Sequence, residues 1–350
     1  MPSRILIVRL SALGDIVHAV PVLAALRRHD PSVEVDWLVE EAYAPILGLV
    51  DGLHQQVVVR ASERAGPPAE GAGGPRFLHG PSGYVRAVAF LRRQRYDVAL
   101  DLQGLIKSAV WARASGARRV VGFAREHLRE PPAAWLYHER VTPPHPAHVI
   151  HKNLALAAHL GAAVAPVSLP LGSKPSPALA TAMQGLLDGA RYAVLNPGAG
   201  WPNKRWPAER FAAMARELHR RHGLLSLVTW GPAERVLADE IVASSDGAAR
   251  LSPPTSVGEL AAVMGGAALV VAGDTGPLHI AAAVGAPVVG LYGPTWPERN
   301  GPWDPADEVI SRADRCQCHH KRQCLTGAPC IETIGLDEVL DAAERRLRRT

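Results

Sequence analysis

Residues 4–26 read RILIVRLSALGDIVHAVPVLAAL, and this stretch decides the fold. It starts with Ile5 to Val8, an aliphatic run that predicts a β-strand. A loop follows at 11–15, and apolar residues then recur near helical spacing from Val17 to Leu26. Pro21 is expected to begin or kink this helix, because proline is tolerated in the first turn but not further in. The chain therefore opens with one strand–loop–helix unit.

The same alternation continues along the chain and predicts an α/β fold with parallel sheets. Further strands are predicted at residues 33–39, 57–59, 97–102, 119–123, 192–196, 225–229, 268–272 and 287–291. Helices are predicted near 82–95, 105–115, 148–161, 207–222 and 336–348. Residues 61–83 are rich in Gly, Pro and Ala and predict a mobile surface loop.

A Pro- and Ser-rich stretch at 166–177 separates two such blocks, each of which predicts a Rossmann-like domain. We expect a first domain at 1–165, a linker at 166–190 and a second domain at 191–333. The terminal helix, at 334–350, is expected to pack back on the first domain. Ligands of such sheets bind beyond the carboxyl ends of the strands, so the chemistry is expected in a cleft between the domains.

Composition narrows the class of protein. The 350 residues are 47% hydrophobic and 20% charged, which excludes disorder. The net charge of +5 favours an anionic partner but does not distinguish nucleic acid, phospholipid or a phosphorylated sugar. Arg9 interrupts the first apolar run, which does not read as a signal peptide, and no apolar stretch is long enough to span a bilayer. We expect a cytoplasmic protein.

Two strand ends carry candidate catalytic residues. Asp15 follows the first strand, where its carboxylate is either a general base or an N-cap of the next helix. The loop NPGAGWPNKRWP at 196–207 has small residues that let a ligand approach the backbone. Lys204 and Arg205 in this loop suit a diphosphate, although an ordinary connection with exposed basic residues fits equally.

Two further strand ends carry candidate binding residues. The segment GDTGPLH at 273–279 opens a helix, and backbone N–H groups at a helix N-terminus attract anions. Thr275 and Gly276 are therefore candidates to hold a phosphate, with His279 as a further donor; a capping motif with a buried histidine is the alternative. Glu234 is a candidate for ribose hydroxyls, or simply an acidic residue in a first helical turn.

All four cysteines fall in one window, Cys316, Cys318, Cys324 and Cys330. In the cytoplasm they are expected to be reduced thiols or metal ligands. The spacing C-x-C-x5-C-x5-C differs from the usual C-x2-C pair of a zinc site, so no metal site is predicted, and these four remain the candidates if there is one.

Several segments in order resemble glycosyltransferase family 9, and within it the lipopolysaccharide heptosyltransferases, type I more than type II. The segments that carry the resemblance are SALGDIVHAVP (11–21), VDWLVEE (35–41), YDVALDLQGLIKSA (96–109), REPPAAWLY (129–137), PNKRWP (202–207), WG (230–231), GDTGPLH (273–279) and LYGPT (291–295). One departure is Ala199-Gly200, where type I members commonly carry two threonines.

The resemblance implies a GT-B fold that transfers heptose, with inversion, from ADP-heptose to a Kdo sugar of Kdo2–lipid A. It implies no obligatory metal or other cofactor. It makes Asp15 the catalytic base and puts Lys204 on the diphosphate and the sugar. The remaining donor-binding residues that it implies are Ala199 and Gly200 at the phosphate, Glu234 at the ribose, Thr255 beside the adenine, and Asp274, Thr275, Gly276 and His279 at the diphosphate and sugar.

The resemblance also implies that Arg129 contacts the anionic acceptor, helped by Arg60 and Arg64. The acceptor lipid lies in the inner membrane, so peripheral contact with its cytoplasmic face is expected, and no nucleic-acid partner is. Two alternatives remain: heptosyltransferase II or another family 9 transferase with a different sugar acceptor, and a non-catalytic basic binding module. The second is disfavoured, because such a module does not need acidic and glycine-rich loops at its strand ends.

Overall fold

The computed structural model describes residues 2–60, 74–77, 80–145, 147–173, 175–319, 321–325 and 327–349. It forms two compact units, Met1–Gly172 and Ser173–Thr350. Each unit holds one parallel sheet with helices between its strands, so the predicted α/β class is confirmed. Residues 61–73, which make up most of the predicted surface loop, lie outside the described residues.

The first unit contains one parallel sheet among its described residues. Its strands are β1 (Arg4–Val8), β2 (Glu34–Glu40), β3 (Gln55–Val59), β4 (Arg76–Phe77), β5 (Val98–Asp101), β6 (Arg119–Phe123) and β7 (Glu139–Val141). Its helices are α1 (Leu13–Val17), α2 (Val20–His29), α3 (Ala44–Leu47), α4 (Gly80–Arg93), α5 (Ile106–Ala114) and α6 (Val149–His159). The strand order β4-β3-β2-β1-β5-β6-β7 reverses between β1 and β5. Such a reversal is where open α/β sheets bind ligands.

The second unit repeats this plan. Its strands are β8 (Tyr192–Asn196), β9 (Leu225–Val228), β10 (Ala249–Leu251), β11 (Leu269–Gly273), β12 (Val288–Tyr292) and β13 (Glu308–Ser311). Its helices are α7 (Pro177–Leu187), α8 (Ala208–His222), α9 (Arg235–Ala243), α10 (Val257–Gly265), α11 (Gly276–Ala283), α12 (Pro297–Asn300) and α13 (Leu336–Leu347). The order β10-β9-β8-β11-β12-β13 reverses between β8 and β11, which is the corresponding place.

Continuous apolar runs become the central strands. In β1 the side chains of Ile5, Leu6, Ile7 and Val8 are all fully buried, and all five residues of β11 are buried as well. A central parallel strand has helices on both faces, so both of its alternating sets of side chains need to be apolar. Burial of each large aliphatic side chain contributes about 1.5–3 kcal/mol.

Proline and capping positions agree with the sequence in one case and differ in two. Pro21 lies in the first turn of α2, as predicted. Pro207 is the N-cap of α8 instead of its first helical residue. The N-cap of α1 is Ala12, so Asp15 is not the N-cap residue; it is the third residue of the helix, and its carboxylate accepts from the N–H of Ala12 at 3.5 Å in a capping box.

Two segments near the domain boundaries differ from expectation. The stretch expected as a linker contains α7, which Ser176 caps by accepting a hydrogen bond from the N–H of Leu179 at 3.1 Å. The terminal helix α13 packs on β13, α8 and β12 of the second unit, whereas the sequence was interpreted as returning it to the first. Its apolar stripe, with Val339 and Leu340, joins the core of the second unit, and Arg346 pairs with Asp307 at 2.8 Å.

Candidate active site

Side chains from several strand-end segments of the second unit contact Asp274. It directly follows β11, is only 5% exposed, and accepts from four side chains. Lys204 Nζ and Thr295 Oγ1 lie 2.5 and 2.7 Å from its Oδ2. Asn300 Nδ2 and His279 Nε2 lie 2.8 and 3.2 Å from its Oδ1. Burial alone disfavours the charged form, but the hydrogen bond from His279 and the charge of Lys204 outweigh burial and hold the pKa of Asp274 well below its ordinary value.

Lys204 is a fixed positive charge at the end of β8. It ends a short 3-10 turn, Pro202–Lys204, and its side chain is 15% exposed. Its Nζ lies 5.0 Å from the ring centroid of Trp201 and 3.3 Å from the carbonyl oxygen of Asp274. The close packing of the two loops requires a glycine, since a β-carbon on Gly273 would lie 2.7 Å from the carbonyl oxygen of Lys204. The ammonium group therefore lies at Asp274, just beyond the end of β11.

The loop after β8 is held from inside the unit. Asn196 Nδ2 donates to the carbonyl of Gly198 at 3.2 Å, and its Oδ1 accepts from Thr229 Oγ1 at 3.0 Å. Arg205 donates twice to the carbonyl of Ala199, at 3.0 and 2.8 Å. Gly200 is exposed and has open space where a β-carbon would stand. Arg205 is therefore a brace for the loop, and Gly200 is the part of the loop that a ligand can approach.

Glu234 reaches the same loop from the end of β9. It is the N-cap residue of α9, and its carboxylate accepts from the N–H of Gly231 at 3.0 Å. A β-carbon on Gly198 would lie 2.0 Å from Glu234 Oε2, so the glycine there makes room for this carboxylate. The structure thus brings Glu234 against residues 196–200, at the second strand of the sheet.

The N-terminus of α11 lies beside Lys204 and Asp274. Thr275 is its N-cap, in extended backbone conformation, and its Oγ1 donates to the carbonyl of Gly273 at 3.2 Å. Thr275 and Gly276 are partly exposed, whereas His279 is buried against Asp274. The first-turn N–H groups have no partners within a helix and carry the positive end of its dipole. Thr275 and Gly276 are thus placed to meet an anion, and His279 is placed to hold Asp274.

The predicted donor-binding residues follow one line along the sheet edge. Thr255 comes after β10, Glu234 after β9, Ala199, Gly200 and Lys204 after β8, and Asp274 to His279 after β11. These four strands are neighbours in the order β10-β9-β8-β11. Because neighbouring strands are about 4.8 Å apart, the line extends over about 14 Å.

Asp15 is the candidate base in the first unit. It follows β1 in α1, and its side chain is 40% exposed. Its Oδ2 lies 2.6 Å from a guanidinium nitrogen of Arg9, which is buried and donates to the carbonyl of Leu102 at 2.6 Å. Arg9 therefore fixes the position of the Asp15 carboxylate while leaving part of it open to a ligand.

The predicted acceptor-binding arginines have unequal settings. Arg129 is exposed in the segment after β6, next to Glu130, which accepts from the N–H of Ile106 at 2.8 Å. Arg60 follows β3 and lies 3.5 Å from the buried carboxylate of Glu41, so part of its charge is already compensated. Arg64 lies outside the described residues. In strand order, β3 and β6 each stand two strands away from β1, on opposite sides.

A buried carboxylate that the sequence analysis passed over ends β5. Asp101 is completely buried, and it accepts at Oδ1 from the N–H groups of Gln103 and Gly104 at 2.9 and 3.1 Å. Its Oδ2 accepts from Ser108 Oγ and Tyr137 Oη at 2.9 and 2.7 Å. Burial raises the pKa of Asp101, and the four donors only partly offset it.

Sequence reasoning also missed Thr295, Asn300 and Arg9. Thr295 follows β12, so the strand-end rule applied once more would have found it. Asn300 ends the short helix α12, and Arg9 looks like an interruption of an apolar run. Nothing in the sequence around these two residues predicts that each of them contacts a carboxylate.

Known proteins share both the sequence pattern and the fold. A family model described as glycosyltransferase family 9 (heptosyltransferase) matches residues 85–328. The lipopolysaccharide heptosyltransferase 1 of Pseudomonas aeruginosa PAO1 is 30% identical over 324 residues, which cover 92% of this chain and 87% of that protein.

Solved structures extend the likeness to the whole chain. The family 9 glycosyl transferase from Veillonella parvula superposes with a TM-score of 0.80 at 21% identity, over 99% of this chain and 98% of that one. The E. coli heptosyltransferase WaaC, solved with ADP-2-deoxy-2-fluoro heptose, gives 0.70 at 22% identity, over 97% and 99%. At these identities the likeness is one of fold, and it confirms the GT-B class.

Proposed function

The chain belongs to glycosyltransferase family 9, and from that premise we propose that it transfers heptose from ADP-heptose to a Kdo sugar of Kdo2–lipid A. The product is an inner-core intermediate of lipopolysaccharide. The relative from Pseudomonas aeruginosa carries the name of this activity, and WaaC was solved with a fluorinated analogue of the donor.

The order of residues along the edge of the second sheet is the observation that carries the proposal. From β10 to β11 the residues run from Thr255 through Glu234 and Gly200 to Lys204 and the start of α11. In ADP-heptose the groups run from adenine through ribose and diphosphate to the sugar. We assign the groups to the residues in that order. A hydroxyl beside the base, a carboxylate at the ribose and positive charge at the diphosphate are each chemically suited to their partners.

The departure of ADP creates charge that the site has to stabilise. When the bond between the anomeric carbon and the phosphate oxygen breaks, negative charge develops on ADP and oxocarbenium character develops on the sugar. The ammonium group of Lys204, whose charge Asp274 compensates in part, and the first turn of α11 supply positive charge at that place without having to reorganise. Asp274, together with His279, Thr295 and Asn300, fixes where Lys204 points.

We assign to Asp15 the removal of the proton from the acceptor hydroxyl. The acceptor hydroxyl attacks the anomeric carbon from the face opposite ADP, which inverts that centre; its proton passes to Asp15, and ADP leaves with the electron pair of the broken bond. A carboxylate that is fixed on one side by Arg9 and open on the other suits this role. The open side is where the hydroxyl would bind.

Arg129 is assigned to the acidic groups of the acceptor, with a smaller part for Arg60, because Glu41 already shares its charge. None of the helices in the described ranges combines the length and apolar character needed to cross a bilayer. Because the proposed acceptor is anchored in the inner membrane, we propose that the enzyme is cytoplasmic and reaches this acceptor by surface contact with that membrane. The net charge of +5 favours that contact with an anionic surface.

The decisive experiment compares two acceptors. Purified full-length protein is given ADP-heptose with Kdo2–lipid A, or with Kdo2–lipid A that already carries one heptose, and product is measured by mass spectrometry. We expect turnover with the first acceptor. Turnover only with the second would replace the proposal by heptosyltransferase II, and turnover with neither would refute both assignments.

A variant tests the base. Asp15→Asn keeps the size of the side chain but cannot take a proton, so we expect kcat to fall by about 10²–10⁴-fold. Binding of ADP, measured by calorimetry, should stay as in the wild type, because the donor residues are in the other unit. Asp51→Asn, an exposed turn residue in the same unit, serves as the matched control. Near-normal turnover of Asp15→Asn would remove Asp15 from the mechanism.

A further inference from the structure

The four cysteines surround one cavity. It measures about 250 Å³ and is lined by Cys316, Cys318, Cys324 and Cys330, together with Arg315 and Gln317. None of the four forms a disulfide, and Cys316 and Cys318 are buried. The sulfur atoms of Cys318 and Cys324 are 3.6 Å apart. Residues separated by up to 14 positions in the chain thus bring every thiol of the protein to one place.

Backbone N–H groups point at two of the sulfurs. The N–H of Leu325 donates to Cys318 Sγ at 2.9 Å, and the N–H of Cys318 donates to Cys316 Sγ at 3.3 Å. A hydrogen bond to sulfur is weak for a neutral thiol and stronger for a thiolate, because it then acts on a charged acceptor. Such donors are the outer-shell partners that orient and tune ligands around a metal.

We propose that Cys316, Cys318, Cys324 and Cys330 bind one structural zinc ion. A tetrahedral site with four thiolates is closed, as structural zinc sites are. With zinc–sulfur bonds of about 2.3 Å, neighbouring sulfurs in a tetrahedron are about 3.8 Å apart, close to the separation of Cys318 and Cys324. In a four-iron cluster each thiolate binds a different iron, so its sulfurs lie further apart.

Charge and protons also balance. Zinc with four thiolates has a net charge of −2, and the nearby cation on the cavity wall is Arg315, which also pairs with Asp314 at 3.8 Å. Binding releases the thiol protons to solvent, so the affinity rises with pH. As they stand, the side chains of the described residues form no group of three or more His, Cys, Asp or Glu that could hold a metal ion, so zinc binding requires the thiols to rotate inward around the ion.

The site would fasten the cysteine segment to the loops that carry Lys204 and Thr295. Asn203, next to Lys204, donates from Nδ2 to the carbonyl of Lys321 at 3.0 Å. His319 Nδ1 lies 3.0 Å from the carbonyl of Pro294, next to Thr295, so this histidine contacts that loop. A β-carbon on Gly293 would lie 3.0 Å from Ile331 Cβ and 3.5 Å from Cys330 Sγ. The proposal stands on this geometry and does not rest on the assigned activity.

Metal analysis of full-length protein, purified without a polyhistidine tag, tests the site directly. We expect one zinc per chain by plasma mass spectrometry, with cobalt exchange giving the visible bands of tetrahedral thiolate ligation. Cys318→Ser and Cys324→Ser should lose most of the metal. Gln317→Ala, which changes the same cavity wall without removing a thiol, should keep it.

Several results would overturn the proposal. Wild-type protein that holds no metal and shows four titratable thiols would do so, as would bound iron with sulfide, or a loss of two hydrogens that marks a disulfide. Because these are measured on the wild type, they remain decisive even if a serine variant fails to fold. Removing zinc with a chelator should also speed hydrogen exchange in 316–319 and 202–204, and unchanged exchange would contradict the fastening role.

Discussion

Asp101 in the first unit and Asp274 in the second occupy corresponding places. Asp101 ends β5 and Asp274 directly follows β11, and each of these strands stands across the switch point from the first strand of its sheet. Both carboxylates are buried, and each accepts two hydrogen bonds at each oxygen. The same fold has thus produced the same arrangement twice.

The difference between them is the charge of the donors. Asp101 is met by backbone N–H groups and the hydroxyls of Ser108 and Tyr137, all neutral, and its pKa is raised. Asp274 is met by Lys204 and His279 among others, and its pKa is lowered. A buried carboxylate at a strand end therefore does not by itself indicate a catalytic or binding site. We propose that the second unit binds the anionic sugar nucleotide because its carboxylate holds a cation.

The strongest test of this difference is to make the same substitution at both places. In Asp274→Asn one of the two oxygens that accept hydrogen bonds becomes an amide nitrogen, and the negative charge that holds the ammonium group of Lys204 is lost. Lys204 then loses its fixed position, and we expect turnover to fall on the order of 100-fold. Steady-state kinetics on protein checked for folding by circular dichroism measures this. An equal loss of turnover in Asp101→Asn would show that the two sites do not differ as argued.

The next largest effect is expected on ADP binding when the ammonium group of Lys204 is removed. Lys204→Ala removes a charged group proposed to contact the diphosphate, and such a contact contributes about 1.5–3 kcal/mol. We therefore expect the Kd for ADP to rise by about 10–100-fold, measured by calorimetry. Arg220→Ala, which removes an exposed cation of α8, should leave the Kd unchanged. Wild-type affinity in Lys204→Ala would make Lys204 a structural partner of Asp274 alone.

The positions of strand ends and helix starts could be predicted from the sequence, because local patterns encode them. Strand ends and helix starts follow from runs of apolar residues and from glycine and proline, so Asp15, Lys204 and Thr275 were found where the structure has them. The family resemblance and the fold class are confirmed. The roles assigned to individual residues stay predictions.

What could not be predicted depends on contacts between distant segments. The short edge strands β4, β7 and β10 have two or three residues each, too few for a visible period. The convergence of Thr295 and Asn300 on Asp274 requires knowledge that β11 and β12 are neighbours. The packing of α13 was misjudged for the same reason, since an amphipathic pattern shows which face is buried but not against what.

A smaller effect is expected for stability in the first unit. In Asp101→Asn the two backbone N–H groups can still be accepted by the amide oxygen. Ser108 and Tyr137 can rotate their hydroxyls to accept from the amide nitrogen. We therefore expect a loss of only about 1–2 kcal/mol in the free energy of unfolding, measured with urea. The Kd for ADP should stay as in the wild type, and a large change in it would tie Asp101 to donor binding.

The finest distinction is the pH dependence of the two stability losses. Asp274 has a folded pKa below the unfolded value of about 3.9, so its stabilising contribution is complete above that pH and is lost as the pH falls below it. The gap between wild type and Asp274→Asn should therefore narrow on acidification below about pH 4. Asp101 has a raised folded pKa, so its contribution is complete below about pH 3.9 and is lost as the pH rises through the folded value. The gap for Asp101→Asn should therefore widen as the pH is lowered from 7 toward about 4. Urea unfolding of the wild type and both variants across this pH range measures how each stability gap changes with pH. If both gaps changed in the same direction, the charge of the hydrogen-bond donors would not explain the difference between Asp101 and Asp274.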